Sequence, residues 1–150
     1  MTRTAAREVA VRLCFSAELA GSEAETVIAE FFDPEHYATL WMEDTLFAES
    51  PSEAQMTYIR RLVELVFEHK EELDGYIAKY AKGWSVSRIS KISLAIIRCA
   101  MCEILYMEDV PNKAAINEAV EIAKNYEDAD TVSFINGVLG SFARGERNNA

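Results

Sequence analysis

The chain has 150 residues, 50% of them hydrophobic, and it contains only 6 glycines and 3 prolines. This composition excludes a disordered, collagen-like or low-complexity protein and suits one folded domain over residues 1–150. The longest apolar stretches include Arg98 and Glu103, so none offers the roughly 20 apolar residues that a membrane span needs. The first segment mixes arginines with acidic residues such as Glu8, which is unlike a secretory leader. We therefore expect a soluble, cytoplasmic protein with no membrane partner.

The net charge is −10, from 15 basic and 25 acidic residues. Residues 21–53 hold nine of the acidic residues and no lysine or arginine, so the rest of the chain is close to charge balance. The total charge by itself argues against nucleic acid as a partner. The uneven distribution leaves room for a local basic face outside the acidic segment.

Apolar residues recur at helical spacing along the chain, and no segment shows the alternation of a β-strand. The first predicted helix ends at Gly21, and Ser22 is in position to cap the second. A third helix is predicted from Asp33 to Phe47. Ser52 is in position to cap a long fourth helix.

A fifth helical segment ends at Gly83, and a short turn over residues 85–88 leads into the segment 90–107. That segment is apolar on nearly all sides, which predicts the buried central helix of the fold. The next helix opens near Pro111, and Asp128 or Asp130 caps the last one.

The pattern as a whole predicts an all-α fold, a compact helical bundle of about seven helices in two subdomains. The subdomains are predicted to meet near residue 84, with a polar, frayed tail at the end of the chain. The predicted bounds are 1–82 for the N-terminal half, 84–143 for the C-terminal half and 144–150 for the tail.

The three cysteines are Cys14, Cys99 and Cys102. Their odd number and irregular spacing argue against a secreted disulfide framework. One C-x-x-C with two distant histidines is also a poor ligand supply for zinc, so we expect buried thiols that pack as small apolar groups. The sequence has no Gly-rich phosphate loop, H-E-x-x-H or G-x-S-x-G motif. We therefore predict no cofactor, no metal and no catalytic activity.

Three residues stand out in the first predicted helix. At about 100° per residue, Phe15 falls opposite the apolar face, where a large aromatic side chain is typical of a binding patch. The alternative is that another helix covers Phe15 as part of the core. Arg3 and Arg7 lie one turn apart and can contact phosphates, or they are simply solvated.

Two residues are unusual in the second half. Arg98 is a lone cation in the most apolar segment, and because a buried unpaired charge is costly, it must find a carboxylate or reach the surface. A structural ion pair and a ligand contact both satisfy that requirement. Gly137 lies within a predicted helix, where glycine costs about 1 kcal/mol relative to alanine, which indicates close approach of another backbone or a partner.

Three sequence motifs in the second half closely resemble the NusB family of bacterial transcription antitermination factors. They are A-I-I-R followed by E-I-L-Y, then V-P-x-x-x-A-I-N-E-A-V-E-I-A-K, then F-I-N-G-V-L. The opening A-A-R-E-V-A-V-R-L-C-F-S is similar to the first helix of that family. Residues 22–57 match only loosely.

The resemblance implies an all-helical RNA-binding module of two subdomains. Such proteins bind the boxA element of nascent RNA together with NusE, a small-subunit ribosomal protein, and join the RNA polymerase elongation complex, notably on ribosomal RNA operons. A homodimer of the free protein is a further expectation. For partner binding, the resemblance points to the neighbourhood of Phe15 and Ser93, and we add Arg98. For RNA, it points to Arg3, Arg7, Asp130, Ser133 and Phe134.

Several positions depart from the pattern of that family. The N-terminal arginine cluster is reduced to Arg3 and Arg7, Ser133 replaces a common lysine, Ser93 replaces a common acid, and Gly140 replaces another acid. Each lost phosphate contact flattens the salt dependence of binding by about 0.7 to 0.9 in logarithmic slope, so we expect weak RNA binding by the isolated chain. The alternative is a helical protein–protein adaptor with the same fold and little or no RNA binding.

Overall fold

The computed structural model describes residues 1–36, 46 and 50–147. All regular structure within these residues is helical, which confirms the predicted all-α class. The chain forms two compact units, Met1–Phe67 and Glu68–Ala150. The α-helices whose bounds lie within the described residues are α1 (Arg3–Ala20), α2 (Ala24–Phe31), α3 (Glu53–Glu68), α4 (Lys70–Tyr80), α5 (Lys91–Tyr106), α6 (Asn112–Ala123) and α7 (Ala129–Phe142). The same residues also hold a 3₁₀ turn, Val86–Arg88, and a π-helical segment, Ala143–Arg147.

In the first unit, α1 packs against α2. The side chain of Thr2 accepts a hydrogen bond from the backbone N–H of Ala5 and caps the start of α1. The helix ends, as predicted, at Gly21, whose φ of 66° is a left-handed conformation that glycine adopts at little cost. The second helix begins one residue later than expected, because Glu23 and not Ser22 is its N-cap residue.

The starts of the next two helical segments follow the predicted capping pattern. The Oδ1 atom of Asp33 accepts hydrogen bonds from the backbone N–H groups of Glu35 and His36. The rest of the helix predicted up to Phe47 lies outside the described residues, apart from residue 46. Ser52 caps α3 as expected, since its hydroxyl accepts from the N–H of Gln55 while the Gln55 side chain accepts from the N–H of Ser52.

The second unit is built around α5, which packs against α4, α6 and α7. Every residue from Ser93 to Ile104 is buried, which confirms the prediction of a central helix. Ser90 caps this helix by accepting a hydrogen bond from the N–H of Ser93. Cys99 and Cys102 lie in this helix with buried side chains. None of the helices in residues 1–36 and 50–147 combines the length and hydropathy of a bilayer-crossing segment.

Two predicted boundaries of the second half need correction. The division between the units lies between Phe67 and Glu68, not near residue 84, because α4 packs against α5 and α7 and so belongs to the second unit. The tail is also more ordered than expected. Residues up to Arg147 continue as a π-helical segment, in which Glu146 accepts hydrogen bonds from Lys79 and Tyr80 of α4.

Candidate nucleic-acid interface

The first unit holds a cluster of two arginines over one aromatic ring. The Cζ atom of Arg3 lies 3.7 Å from the ring centroid of Tyr58, and the Cζ atom of Arg7 lies 5.9 Å from the same centroid. Both distances are within the range of cation–π attraction. Tyr58 is buried in α3, so its ring fixes where the guanidinium groups lie.

The two arginines differ in their access to solvent. Arg3 is exposed, so a phosphate group can reach its guanidinium while the stacking on Tyr58 persists. Arg7 is only 6% exposed, so it is not the solvated surface cation that one of the two interpretations of the sequence predicts. Its position one turn after Arg3 lies on the side of α1 that faces the core, because Ala6 and Ala10 on the neighbouring rows are fully buried. Arg7 can add positive potential here, but the structure gives a phosphate little access to it.

Phe15 matches neither of its two predicted positions completely, the exposed binding patch or the covered core. Its side chain is half-buried, whereas Val11, one turn earlier in α1, is buried at 1% exposure. The ring is therefore partly covered and partly open to a partner. The structure describes only part of the acidic segment, residues 21–53.

In the second unit, Trp84 and Phe134 form the wall of a pocket. Their ring centroids are 5.2 Å apart with planes tilted by 46°. Trp84 is 51% exposed, which is unusual for so large an apolar side chain. The pocket has a volume of about 200 Å³. It brings Phe134, Asp130 and Ser93 of the predicted sites together, and its lining is Trp84, Arg88, Ile89, Ser90, Ser93, Glu127, Asp130, Thr131 and Phe134.

The polar side of this pocket is organised by Glu127. Its Oε1 atom accepts hydrogen bonds from the Ser90 hydroxyl at 2.7 Å and from the Ser93 hydroxyl at 3.0 Å. Ser93 is fully buried, so its side chain holds this carboxylate in place, and the place of its neighbourhood in a partner surface stays a prediction. Sequence reasoning missed Glu127 because its bonding partners lie more than thirty residues away in the chain, at the start of α5. Trp84 could have been found, since it directly follows Gly83, where the sequence predicts the end of a helix, although that helix ends at Tyr80 in the structure.

Two further acidic side chains, those of Asp128 and Asp130, lie at the start of α7. Asp128 caps the helix, with its Oδ1 atom accepting from the backbone N–H of Thr131 at 2.8 Å. That backbone hydrogen bond lowers the pKa of the Asp128 carboxyl below its ordinary value. Asp130 is exposed at the pocket, and Ser133 is exposed on the same helix but does not line the pocket.

A second groove shares Phe134 with the pocket and is basic where the pocket is acidic. Its volume is about 570 Å³. Lys79 donates a hydrogen bond to Glu146 at 2.8 Å, and this bond lowers the pKa of the Glu146 carboxyl, as does the bond from Tyr80. The groove is lined by Lys79, Tyr80, Ala81, Lys82, Phe134, Gly137, Val138 and Ser141.

Gly137 lies on the open side of this groove. A Cβ atom at this position would meet nothing within 4 Å. The structure therefore corrects the expectation of a close backbone approach by another part of the described chain. Of the two explanations that the sequence offered for a mid-helix glycine, contact with a partner is the one that stays a prediction.

Arg98 is resolved in favour of the structural ion pair. It is 3% exposed, and its guanidinium makes two hydrogen bonds to the carboxylate of Asp74 in α4. Of the two roles that the sequence left open for Arg98, the structure shows the ion pair. Its burial in α5 leaves no surface for a partner, and its charge is already neutralised within the unit.

The comparisons with known proteins agree on one family. A model of the NusB family matches residues 4–144. The transcription antitermination protein NusB of Symbiobacterium thermophilum is 41% identical over 150 residues, which cover 100% of this chain and 94% of that protein. A solved structure of T. maritima NusB has a TM-score of 0.79 and 25% identity, covering 97% of this chain and 92% of that one.

A further solved structure shares the fold. It is a crystal structure of antitermination factors NusB and NusE in complex with double-stranded RNA, with a TM-score of 0.74 and 20% identity, covering 95% of this chain and 96% of that one. The names of the relatives are those of a transcription factor and not of an enzyme. The family model and the full-length relative together show that this chain belongs to the NusB family.

Proposed function

We propose that the chain, a transcription antitermination factor of the NusB family, binds boxA-type single-stranded RNA together with the ribosomal protein NusE. The observation that carries this proposal is the contact between the half-exposed Trp84 and Phe134, beside a groove that Lys79 and Lys82 line. Unstacked bases bind aromatic side chains, and cations follow the backbone phosphates. The second unit offers both kinds of group on one surface.

Phe134 has the central place in that surface, because it lines both the acidic pocket and the basic groove. A base that stacks on its ring puts the adjoining phosphates near the groove, where Lys79 and Lys82 lie. Each base stacked on an aromatic side chain contributes about 1 to 3 kcal/mol. The net charge of −10 therefore does not argue against RNA binding, since attraction depends on the local distribution of charge.

The first unit supplies a separate cation. Arg3 is exposed and its guanidinium is held by stacking on Tyr58. A cation that is already oriented loses less conformational freedom when it binds a phosphate. We propose Arg3 as a backbone contact for RNA and Arg7 as its buried neighbour.

The partner assignment is supported by the family and by chemistry. A structurally similar NusB was crystallised with NusE and double-stranded RNA, and we propose that this chain also pairs with NusE. The half-buried ring of Phe15 is the candidate anchor for that contact, because aromatic anchors dominate binding energy at interfaces. Assembly with the RNA polymerase elongation complex, a cytoplasmic location and a homodimer of the free protein belong to the same proposal.

The adaptor alternative is less well supported. It predicts the same helical fold but requires no exposed aromatic pair beside basic residues. The chain's family, whose relatives are named for transcription antitermination, also favours the first function.

A titration of labelled boxA-type RNA, with and without NusE, tests the proposal. We expect binding that is strengthened by NusE and weakened about 5-fold or more by Phe134→Ala, which removes one stacking ring. Leu19→Ala is the control, since it truncates another exposed apolar side chain in the first unit. Thermal melts of both variants establish that they are folded. Absence of RNA binding at low salt in both conditions would reject the proposal.

A further inference from the structure

We propose that the pocket between Trp84 and Phe134 is a specificity site for one unstacked nucleobase that carries an exocyclic amino group, with Glu127 as the hydrogen-bond acceptor. The inference rests on the proposed RNA-binding function and goes beyond it. It assigns selectivity between bases to the polar side of this pocket. Cytosine against uracil is the sharpest comparison, because the two bases have nearly the same shape.

The walls of the pocket suit a flat ring better than a phosphate. Trp84 and Phe134 are inclined by 46° with centroids 5.2 Å apart, so the two rings form an open, apolar corner. The pocket volume of about 200 Å³ is large enough for a single base. The acidic side chains of Glu127 and Asp130 both line it, and they repel a phosphate.

The hydrogen bonds of the Glu127 carboxylate determine which base edge fits. Both serine hydroxyls donate to its Oε1 atom, and its Oε2 atom makes no hydrogen bond with any residue in the described part of the chain. An ionised carboxylate only accepts hydrogen bonds. An amino group is therefore attracted to this position, whereas the carbonyl oxygen that uracil has in its place is repelled.

The serines make this acceptor rigid. Ser93 is fully buried in α5 and Ser90 caps the same helix, so the hydroxyls are held by the best-packed element of the unit. A preorganised carboxylate loses little freedom when it binds a base, which favours discrimination over simple affinity. Arg88 is exposed at the rim and is available to the phosphate of the bound nucleotide.

Fluorescence of Trp84 tests occupancy directly. The chain has two tryptophans, and Trp41→Phe leaves Trp84 as the only one. Short oligouridine and the same oligomer with one central cytidine are titrated into this protein, with label anisotropy measured in parallel. We expect quenching of Trp84 and about 5- to 10-fold tighter binding of the cytidine oligomer, in keeping with the discrimination of a single good base contact.

Two variants test the assignment of roles. Glu127→Gln retains an acceptor for the serines but adds a donor that fits a uracil carbonyl, so the preference for cytidine should disappear. Glu108→Gln is the matched control, because it removes one negative charge at an exposed position that does not line the pocket. Trp84→Ala should weaken both oligomers about 5-fold or more.

The outcomes separate the two proposals. RNA binding with no base preference, with a preference that survives Glu127→Gln, or with no change in Trp84 fluorescence overturns the specificity site and leaves the RNA-binding function intact. No binding of either oligomer or of boxA-type RNA overturns both. The fluorescence measurement needs no change at Glu127, so the test holds even if that variant fails to fold.

Discussion

Arg98 and Asp74 form a two-bond ion pair, in which Nε donates to Oδ1 at 2.8 Å and Nη2 donates to Oδ2 at 3.0 Å. The pair joins α5 to α4, two helices that pack together in the second unit. A paired, two-bond geometry is the strongest form of contact between arginine and a carboxylate. It explains how a cation is retained in the most apolar helix of the chain.

Breaking this pair from the carboxylate side should destabilise the protein strongly. Asp74→Asn removes the charged carboxylate that accepts both of these hydrogen bonds from the buried Arg98, for which we expect a loss of about 3 kcal/mol in the free energy of unfolding. Urea denaturation followed by circular dichroism measures the loss. Glu108→Gln, which removes an exposed charge, should leave the urea midpoint close to that of the parent protein. An equal midpoint for Asp74→Asn would show that the ion pair contributes no stability.

The two N-terminal arginines should respond differently to the same substitution. Arg3→Gln removes an exposed cation, so we expect the logarithmic salt slope of RNA binding to fall by about 0.7 while stability is retained. Arg7→Gln disturbs a buried group and should cost about 1 kcal/mol or more of stability. Salt titrations and urea melts of both variants measure the difference. A larger change of salt slope for Arg7 than for Arg3 would contradict the burial seen here.

The π-helical segment at the end of α7 should detach in acid. Hydrogen bonds from Lys79 and then Tyr80 lower the pKa of Glu146, so the anchoring is fully present above the ordinary pKa of a glutamate. It is lost as the pH falls through the lowered pKa of the folded state. Hydrogen exchange of the amides of residues 143–147 measures the release, and Glu146→Gln should show fast exchange already at neutral pH.

A second variant tests how closely the π-helical segment packs against the ring of Tyr80. A Cβ atom at Gly145 would lie 2.8 Å from Cζ and 2.9 Å from Cε1 of Tyr80, which is too close for any side chain without movement. Gly145→Ala should therefore displace the segment as Glu146→Gln does. Gly137→Ala is the control, because its new methyl group meets open space. Equal protection in the Gly145 and Gly137 variants would refute the packing on Tyr80.

The N-cap of α7 should make stability depend on pH in the same direction. The pKa of Asp128 is lowered by the backbone hydrogen bond from Thr131, so its contribution is present above the ordinary pKa of an aspartate. The contribution is lost as the pH falls through the lowered pKa. Asp128→Asn keeps a good capping side chain that does not titrate, and Asp128→Ala removes the cap. Melting temperatures from neutral to acid pH should fall less steeply for both variants than for the parent, with Asp128→Ala the lowest at neutral pH.

The helices and most of their ends could be predicted because their causes are local. Gly21 ends α1 through its own backbone conformation, and Ser52 caps α3 through a residue only three positions away. Small errors arose where a neighbour competes for the same role, as with Ser22 and Glu23. His69 shows the limit of this reasoning. Its sequence neighbours Glu68, Lys70 and Glu71 are charged, a pattern typical of a solvated helix surface, yet its ring is stacked on Tyr106 with centroids 4.1 Å apart.

The site was predictable only in part, for a related reason. The sequence motifs led to Phe134, Asp130 and Ser93, which the structure brings to one pocket. They did not lead to Glu127, whose bonds cross from the start of α7 to the start of α5. They also pointed to Arg7 as an RNA contact and left Arg98 open between a structural ion pair and a ligand contact, and the structure shows that both arginines are buried.

The amino-acid sequence by itself determined the helical class, the burial of α5 and the family, because periodicity and short motifs are properties of neighbouring residues. Only the tertiary structure decided that Arg98 pairs with Asp74, that Tyr58 lies under Arg3, and that Trp84 stands against Phe134. These pairs are distant in the chain. Their distances follow from how helices pack, and packing depends on all the side chains at an interface at once.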